Sequence, residues 1–317
     1  MCSADSAGPA AIGPDGYCEN CGRKVPVGRD HAELDLGLVA GVTDRGLRHQ
    51  RNEDAMALAT ATGPHGPVAL AVVSDGVSSA PRPDEASLMA VRTAMRFLLK
   101  TARAGENPVG ASVAAAKAGA QALNDLVGPE GAPAATYVSA VVSDEVITVC
   151  WLGDSRAYWL TADPADCTRL TRDDSLAEEI VAAGLASVDE AMASPQAHVI
   201  TRWLGADLPE PQPHIAQFAP PGPGVLLVCS DGLWNYRPEA ADLAALAMPA
   251  ASADPLAAAA GLVKFAVESG GIDNVTVVLI PFPLAAHVKD PADRTQTEAE
   301  PVAEAPTETL PQTPAAS

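Results

Sequence analysis

The sequence predicts an α+β fold in which antiparallel β-sheets are layered with α-helices. Strand-like apolar runs recur within residues 34–283, and two of them are separated only by a tight Ser-Asp-Glu turn at 143–145. Alanine-rich helical patterns come in pairs and do not alternate regularly with the strands. Regular alternation would favour a doubly wound parallel sheet, so this arrangement favours antiparallel sheets.

The elements follow from local patterns along the chain. Apolar runs predict strands at 36–42, 68–76, 135–160 (consecutive strands), 224–232 and 274–282. Helical periodicity predicts helices near 84–104, 110–127, 175–184 and 255–269. The third of these helices begins with Ser175 and Glu178, which match a capping box, and Gly184 is suited to its C-cap.

Composition divides the chain into three parts. Residues 1–33 are rich in Gly, Pro and Ser, residues 34–283 carry nearly all the apolar periodicity, and residues 284–317 form an acidic tail rich in Pro and Thr. The tail is predicted to be disordered. Its threonines suit phosphorylation by a partner kinase and recognition by a phosphothreonine-binding domain. The alternative, which the composition favours, is a solvated extension without a fixed partner.

Net charge restricts the partners of the chain. Its 317 residues carry a formal charge of −20, which argues against nucleic acids and anionic membranes and favours metal cations or basic partners. No apolar run approaches the length of about 20 residues that a membrane-spanning helix needs. The N-terminus lacks the pattern of a signal peptide, and the cysteines lack disulfide-framework spacing. We therefore expect a reduced, cytoplasmic protein.

Aspartates stand where predicted strands begin or end. Asp75 and Asp231 each follow an apolar strand within Ser-Asp-Gly, Asp273 precedes a strand, and Asp154 lies in a turn. Carboxylates at one rim of stacked sheets suit hard cations such as Mg²⁺ or Mn²⁺. Gly76 allows close backbone approach and offers a carbonyl ligand. Asp-Gly is also ordinary turn chemistry, but its repetition at two strand ends favours a metal site.

The stretch "TDRGLRHQRNEDAM" at 43–56 concentrates both signs of charge. Its acidic pair, Glu53 and Asp54, follows Arg48, His49 and Arg51 closely. Two interpretations are open. The stretch is either a solvated loop between two strands or one wall of a site that binds an anion and a cation together.

Seven short motifs resemble one protein family when they are taken in order. They are "TDRG…NEDA", "VVSDG", "LGDSRAYW", "LTRDDSLAEEIVAAG", "HVITRWLG", "VCSDGLW" and "GGIDNVTVVL". Over residues 36–282 their order and spacing resemble the metal-dependent (type 2C) serine/threonine protein phosphatases in their compact bacterial form. The resemblance implies a four-layer α-β-β-α sandwich: two antiparallel sheets flanked by helix pairs, with a binuclear metal site at one end.

The resemblance also implies roles for individual residues. It implies a metal site made of Glu53, Asp54, Asp75, Gly76, Asp154, Asp231 and Asp273. Within it Asp75 would bridge two Mn²⁺ or Mg²⁺ ions, and Asp154 would help to hold a weaker third ion. A metal-activated water would attack phosphorus in line, without a protein nucleophile. Residues 172–200 match a flap beside the site, a usual place for substrate selectivity.

The chain departs from the family pattern at two positions. The phosphate-binding Arg is expected four residues before Glu53, where this chain has His49, so Arg48, His49 and Arg51 are all candidate phosphate contacts. Val77 stands where some relatives have a general-acid histidine.

We therefore expect a serine/threonine protein phosphatase that opposes a bacterial kinase. The alternatives are a catalytically weak pseudophosphatase that acts as a binding module, and a phosphatase for a small metabolite.

A Cys-x-x-Cys pair lies in the N-terminal part. Cys18 and Cys21 resemble half of a zinc ribbon, and with Cys2 and Asp5 they could complete a structural Zn²⁺ site. Structural zinc commonly uses two cysteine pairs, and only one pair is present, so the sequence favours a metal-free remnant.

Overall fold

The computed structural model describes residues 28–205 and 210–287. The suggested zinc ligands Cys2, Cys18 and Cys21 lie outside these ranges, as does the tail after residue 287. The predictions made for them therefore stay predictions. Within the described ranges, no helix has both the length and the apolar character needed to span a membrane.

Thirteen strands and seven helices make up the described chain. The strands are β1 (His31–Asp35), β2 (Ala40–Asp44), β3 (Asp54–Gly63), β4 (Gly66–Asp75), β5 (Ala134–Ala135), β6 (Tyr137–Val142), β7 (Ile147–Leu152), β8 (Arg156–Leu160), β9 (Thr168–Arg169), β10 (Leu204–Gly205), β11 (His214–Phe218), β12 (Gly224–Cys229) and β13 (Val275–Phe282). The helices are α1 (Pro83–Ala104), α2 (Pro108–Leu123), α3 (Leu176–Ala182), α4 (Val188–Met192), α5 (Asp231–Trp234), α6 (Ala240–Ala251) and α7 (Pro255–Glu268).

Two antiparallel sheets form the centre of the molecule. One has six strands in the order β1-β2-β13-β12-β8-β9, and the other has five in the order β11-β7-β6-β4-β3. The pair α1 and α2 packs on the outer face of the five-stranded sheet, and the pair α6 and α7 packs on the outer face of the six-stranded sheet. The predicted four-layer α-β-β-α sandwich is confirmed.

Each interface between layers is an apolar core of its own. Along β4, Leu70 and Val72 belong to the core under α1 and α2, whereas Ala71 and Val73 belong to the core between the sheets. A strand that is buried on both faces needs apolar residues at every position. This burial explains why the central strands read in the sequence as continuous apolar runs.

The register of the five-stranded sheet brings two predicted ligands together. β3 and β4 form a hairpin in which Asp54, the first residue of β3, pairs with Asp75, the last residue of β4. Directly opposed residues in an antiparallel pair have Cβ atoms about 4.5–5.5 Å apart. The two carboxylates therefore start from neighbouring positions at the same end of the sheet.

The six-stranded sheet contributes its carboxylates at the same end. β12 pairs antiparallel with β13, so Asp231, just after β12, and Asp273, just before β13, come from adjacent strand ends. β12 also pairs antiparallel with β8, which places the turn containing Asp154 beside the end of β12. Strand pairing thus places Asp154, Asp231 and Asp273 at one end of this sheet, as it places Asp54 and Asp75 at one end of the other sheet.

The structure differs from the predicted limits near both ends of the folded region. The strand predicted at 36–42 is confirmed only for its last three residues, as the start of β2. Before them, β1 ends at Asp35, and a turn through Gly37 (φ +80°) leads into β2. β1 begins at His31, and Leu284 is buried between the sheets, so the described structure extends past both 34 and 283. The division into three domains stays a prediction.

Helix predictions succeed where one face is polar. The helices predicted near 84–104 and 255–269 are confirmed as α1 and α7, whereas α2 ends at Leu123, short of the predicted 127. α6 was not predicted, although its buried residues Ala240, Leu243, Ala244, Ala247 and Ala251 recur at helical spacing.

The capping box lies one helix later than predicted. Ser175 Oγ does accept a hydrogen bond from the N–H of Glu178 (3.4 Å), but the Glu178 carboxylate binds Arg169 and Arg172 instead of the helix start. Ser187 and Glu190 form the reciprocal pair at the start of α4. The pattern alone did not predict this, because the arginines that attract Glu178 lie outside the helix.

Candidate metal and phosphate site

A cleft of about 490 Å³ opens at the end of the sandwich where the strand ends gather. Its lining includes Asp75, Gly76, Asp154, Asp231 and Asp273. The structure therefore brings together five of the seven residues predicted as metal ligands. They come from both sheets, so the site depends on the packing of the two sheets against each other.

Asp54 lies beneath this cleft and is almost fully buried. Its Oδ2 accepts hydrogen bonds from the hydroxyls of Ser230 (2.6 Å) and Thr276 (2.8 Å). Its Oδ1 is buried and has no hydrogen-bond partner among the described residues. Burial, together with the nearby charges of Asp231 and Asp273, raises the pKa of Asp54 to about 7 despite these two hydrogen bonds.

Asp231 has a similar environment at the start of α5. Its Oδ2 accepts a hydrogen bond from Asn235 Nδ2 (3.0 Å), and its Oδ1 is buried without a partner in the described chain. Burial, followed by the charge of Asp273, raises its pKa to about 6. Burial and the surrounding carboxylates also raise the pKa values of Asp75 and Asp154 well above their usual range.

These carboxylates fit a divalent cation. Within residues 28–205 and 210–287, no three Asp, Glu, His or Cys side chains are arranged so that they could hold an ion as they stand. The Oδ1 atoms of Asp54 and Asp231 nevertheless have no partner in this part of the chain, and burial, followed by the charges of neighbouring aspartates, raises the pKa values of both groups. A bound cation would stabilise the ionised carboxylates against both effects. The donor set is oxygen only, as Mg²⁺ and Mn²⁺ prefer.

The glycine of each Ser-Asp-Gly motif is required by close backbone packing. A Cβ atom on Gly76 would lie 2.2 Å from the carbonyl oxygen of Pro83 and 2.9 Å from that of Glu53. A Cβ atom on Gly232 would lie 1.9 Å from the carbonyl oxygen of Asn274. The repeated motif therefore has a structural cause at both positions: each aspartate sits where the chain passes directly over a neighbouring backbone.

Glu53 lies beside the aspartate cluster and is not part of the cleft lining. Its carboxylate accepts a hydrogen bond from Ser78 Oγ (2.5 Å) and lies 3.5 Å from Arg51 Nε and 3.9 Å from His49 Nδ1. Of the acidic pair, Asp54 thus faces the other carboxylates and Glu53 faces the cations of its own loop.

The three predicted phosphate contacts have different environments. His49 Nε2 lies 3.1 Å from Asp273 Oδ1, which places the imidazole at the edge of the aspartate cluster. Arg51 is engaged with Asp84 (Nη1 to Oδ1, 3.1 Å) as well as with its own loop. Arg48 is exposed and makes no hydrogen bond or ion pair with any residue that the structure describes. Its guanidinium is therefore available to bind an anion.

A buried polar network that the sequence did not predict positions Asp54. Asn52 Nδ2 donates to Thr43 Oγ1 (2.9 Å), and Thr43 Oγ1 lies 2.7 Å from Thr276 Oγ1. Thr276 in turn donates to Asp54, and its backbone N–H donates to Ser230 Oγ (3.0 Å). These residues are far apart in the sequence, so no local pattern indicates the network, although Ser230 lies within the Ser-Asp-Gly motif that contains Asp231.

Asn274 joins the charged loop to the six-stranded sheet. Its Oδ1 accepts a hydrogen bond from the backbone N–H of Glu53 (2.7 Å), and its Nδ2 donates to the carbonyls of Arg45 (2.8 Å) and Arg51 (3.1 Å). In the sequence, the Asp-Asn pair at 273–274 indicates a metal ligand at Asp273 but gives no indication of this role of Asn274.

A buried arginine supports the cleft from behind. The Arg156 guanidinium donates to the Asp173 carboxylate (Nε to Oδ1 2.9 Å, Nη2 to Oδ2 2.6 Å) and to the Tyr158 hydroxyl (3.0 Å). Its Cζ lies 3.5 Å from the ring centroid of Trp234, and Trp234 Nε1 donates to the carbonyl of Asp154 (2.9 Å). Arg156 therefore links the chain before α3 to α5 and to one predicted ligand.

Comparison with known proteins identifies relatives of this arrangement. A family model described as protein phosphatase 2C matches residues 45–258. The serine/threonine phosphatase stp of Listeria innocua is 33% identical over 147 residues, which are 46% of this chain and 55% of that protein. The serine/threonine protein phosphatase PstP of Mycobacterium tuberculosis is 27% identical over 243 residues, 76% of this chain and 44% of its own. The chain thus spans about half the length of the curated relatives that it matches.

A solved structure extends the comparison over most of the fold. The PPM Ser-Thr phosphatase MsPP of Mycobacterium smegmatis, crystallised with cacodylate, is 29% identical with a TM-score of 0.61. The comparison covers 78% of this chain and 98% of MsPP.

Proposed function

Since the chain belongs to the protein phosphatase 2C family, we propose that it hydrolyses phosphoserine and phosphothreonine in proteins in a metal-dependent reaction. The observation that carries this proposal is the group of buried aspartates at the cleft. Asp75, Asp154 and Asp231 all have raised pKa values because they are buried close to other carboxylates. A protein maintains such repulsion at a functional site more often than elsewhere.

We propose that the metal ligands are those that the resemblance implies. Asp75, Asp231 and Asp273 would hold two Mn²⁺ or Mg²⁺ ions, with the carbonyl of Gly76 as a further donor. Glu53 and Asp54 would contact the second ion directly or through a water molecule, and Asp154 would contact a weaker third. When bound, two such ions would supply a nucleophile from water and offset the charge on the phosphoryl oxygens. The hydroxyls beneath Asp54 keep one of its oxygens directed away from the cleft.

The two buried cysteines, Cys150 and Cys229, give no support to a thiolate mechanism. Burial raises the pKa of Cys150 to about 12, and it raises the pKa of Cys229 as well. A thiol that stays protonated at neutral pH is a poor nucleophile. The free thiols are compatible with a reducing compartment, and we propose the cytoplasm as the location, with phosphorylated proteins as substrates and a Ser/Thr kinase as the opposing enzyme.

The proposed activity predicts hydrolysis of a phosphothreonine peptide that depends on added Mn²⁺. Phosphate release should fall to background after treatment with a chelator and should return when Mn²⁺ is restored, because the proposed nucleophile is a water molecule that needs the metal for activation. The measurement is phosphate release from the full chain, with metal binding followed by calorimetry. Mn²⁺ binding without turnover of any phosphopeptide would contradict the enzyme and would support a binding module instead.

We propose that Arg48 is the main phosphate contact of the charged loop, because it is the one candidate without a carboxylate partner among the described residues. Arg48→Ala should raise the KM for a phosphopeptide about tenfold or more, since a charge-assisted contact contributes about 1.5–3 kcal/mol. Arg51→Ala should have a smaller effect, because Arg51 is already engaged with Asp84. His49→Ala should lower kcat through Asp273 rather than raise KM.

Steady-state kinetics of the three single variants separates these roles. Arg96→Ala, a change at an exposed arginine of α1, serves as the control and should leave both constants unchanged. An unaltered KM in all three loop variants would show that this loop is not the phosphate contact.

A further inference from the structure

The cleft is larger and more apolar than a phosphoryl group needs. Besides the aspartates, its lining includes Val77, Ala134, Val199, Ile200 and Trp203, which we call the slot. A phosphoryl group is polar on every side and would make no favourable contact with this apolar surface. Pockets of this size usually enclose most of a ligand, with a few polar groups to orient it. The slot therefore has room for a second, apolar part of the substrate.

The slot is attached to the predicted metal site by backbone pairing. Leu204, which follows Trp203, pairs with Ala135 between β10 and β5. Ala135 in turn forms a bridge with Gly76, and the N–H of Val77 donates to the carbonyl of Ala134 (2.9 Å). Paired backbone segments lie about 4.8 Å apart. Gly76 directly follows Asp75, so this pairing fixes the distance between the slot and the Asp75 carboxylate.

Exposed apolar side chains also occur on α4 and in the loops on either side of it. Val199 is 53% exposed, and beyond it Leu185, Val188 and Met192 are exposed by 77%, 61% and 42%. Half of the large exposed apolar side chains in the described chain therefore belong to this one segment. Contiguous exposed apolar surface of this kind marks interaction sites, since scattered exposure would spread over the whole molecule.

The charge of the same segment limits what can bind there. Between residues 173 and 201 the chain has no Lys or Arg. Asp173, Asp174 and Glu178 are paired with arginines outside this range, so the negative charge of the surface comes from Glu179, Asp189 and Glu190. Asp189 and Glu190 lie on α4 between the exposed Val188 and Met192. An acidic, apolar surface on a chain of net charge −20 repels acidic partners and attracts basic ones.

We propose that the slot binds a bulky apolar side chain next to the phosphorylated residue of a protein substrate, and that basic residues of the substrate lie over the acids of α4. This proposal rests on the proposed function and names the substrate class that the site prefers. A small phosphorylated metabolite would occupy only the acidic part of the cleft. Trp203 and Val199 are then specificity-determining residues, which contact the substrate beside the reacting phosphate.

The test uses two dye-labelled phosphothreonine peptides that carry the same basic residues. One has Leu next to the phosphothreonine and the other has Gly. The full chain should bind the Leu peptide about tenfold more tightly in fluorescence anisotropy, because filling an apolar pocket discriminates by about that factor or more. With Mn²⁺, the same preference should appear in KM rather than in kcat.

Two variants locate the preference. Val199→Ser changes a side chain that is 53% exposed, and Trp203→Ala removes the largest slot side chain. Both variants should reduce the preference for the Leu peptide to about threefold or less. Leu246→Ser, an equally exposed apolar residue on α6, is the control and should keep the full preference. Equal binding of the two peptides by the unmodified chain, or an intact preference in both slot variants, would overturn the proposal. A clear binding preference without any turnover would support the slot and refute the proposed enzyme activity.

Discussion

Asp231→Asn should abolish metal-dependent phosphate release and at the same time stabilise the metal-free protein. The activity should fall about a hundredfold or more, since even outer partners of metal ligands commonly contribute factors of 10–100. The substitution keeps the shape of the side chain, and the amide oxygen can still accept the hydrogen bond from Asn235. What it removes is a charge that a divalent cation would need.

The opposite effect on stability follows from the raised pKa. Burial and Asp273 raise the pKa of Asp231 to about 6, so the folded metal-free protein holds this proton more tightly than the unfolded chain does. The stability gained from protonation is fully present below about pH 4 and is lost as the pH rises through about 6. Asn carries no charge at any pH, so the variant should gain about 2–3 kcal/mol at pH 7 relative to the unmodified protein.

Denaturant unfolding between pH 4 and 8, with and without Mn²⁺, measures both effects. The metal-free protein should lose stability as the pH rises, and the variant should lose less. Mn²⁺ at a free concentration of about a hundred times its Kd should stabilise the unmodified protein by about 2.7 kcal/mol. The same concentration should stabilise the variant much less. Asp242→Asn, at an exposed position on α6, should change neither property. A variant that is less stable than the unmodified protein without metal would show that Asp231 serves packing and not a cation.

The aspartates were predictable because each has a local signal. Asp75 and Asp231 stand directly after buried strands within Ser-Asp-Gly, and a strand end fixes the position of its next residue. Their convergence depends on strand order within each sheet and on the packing of the two sheets, and the sequence indicated it only through the family resemblance. The clash that a Cβ atom would meet at Gly76 and Gly232 shows that the motif records backbone packing as well as chemistry.

The remaining features of the site depend on contacts between distant parts of the chain. Thr276 and Ser230 donate hydrogen bonds to Asp54 across more than 170 residues of sequence. The motif around Ser230 drew attention to Asp231 but gave no indication of this contact, and the motif that contains Thr276 indicated only Asp273. The order of preference among Arg48, His49 and Arg51 depends on which carboxylate each one meets. Local patterns thus predicted which residues are present, and tertiary packing decides what each of them contacts.

Arg156→Ala should destabilise the protein more than any substitution at the surface. Arg156 and Asp173 are each 4% exposed in their side chains and form a close ion pair (2.6 Å). Removing one member of a buried pair typically costs about 3–5 kcal/mol, because the other charge stays buried without compensation. Trp234 would also lose the guanidinium over its ring, and with it support for the carbonyl of Asp154.

A double substitution distinguishes the loss of the buried ion pair from the loss of the side-chain volume that the pair fills. Arg156→Met combined with Asp173→Leu leaves no buried charge, so it should recover at least half of the lost stability in urea unfolding. Arg172→Ala breaks a solvent-exposed pair with Glu178 and should cost less than about 1 kcal/mol. A cost of that size for Arg156→Ala would contradict a structural role for the pair. If the double variant folds but binds Mn²⁺ weakly, then the ion pair contributes mainly to the position of Asp154 and α5, because packing alone would already have been restored.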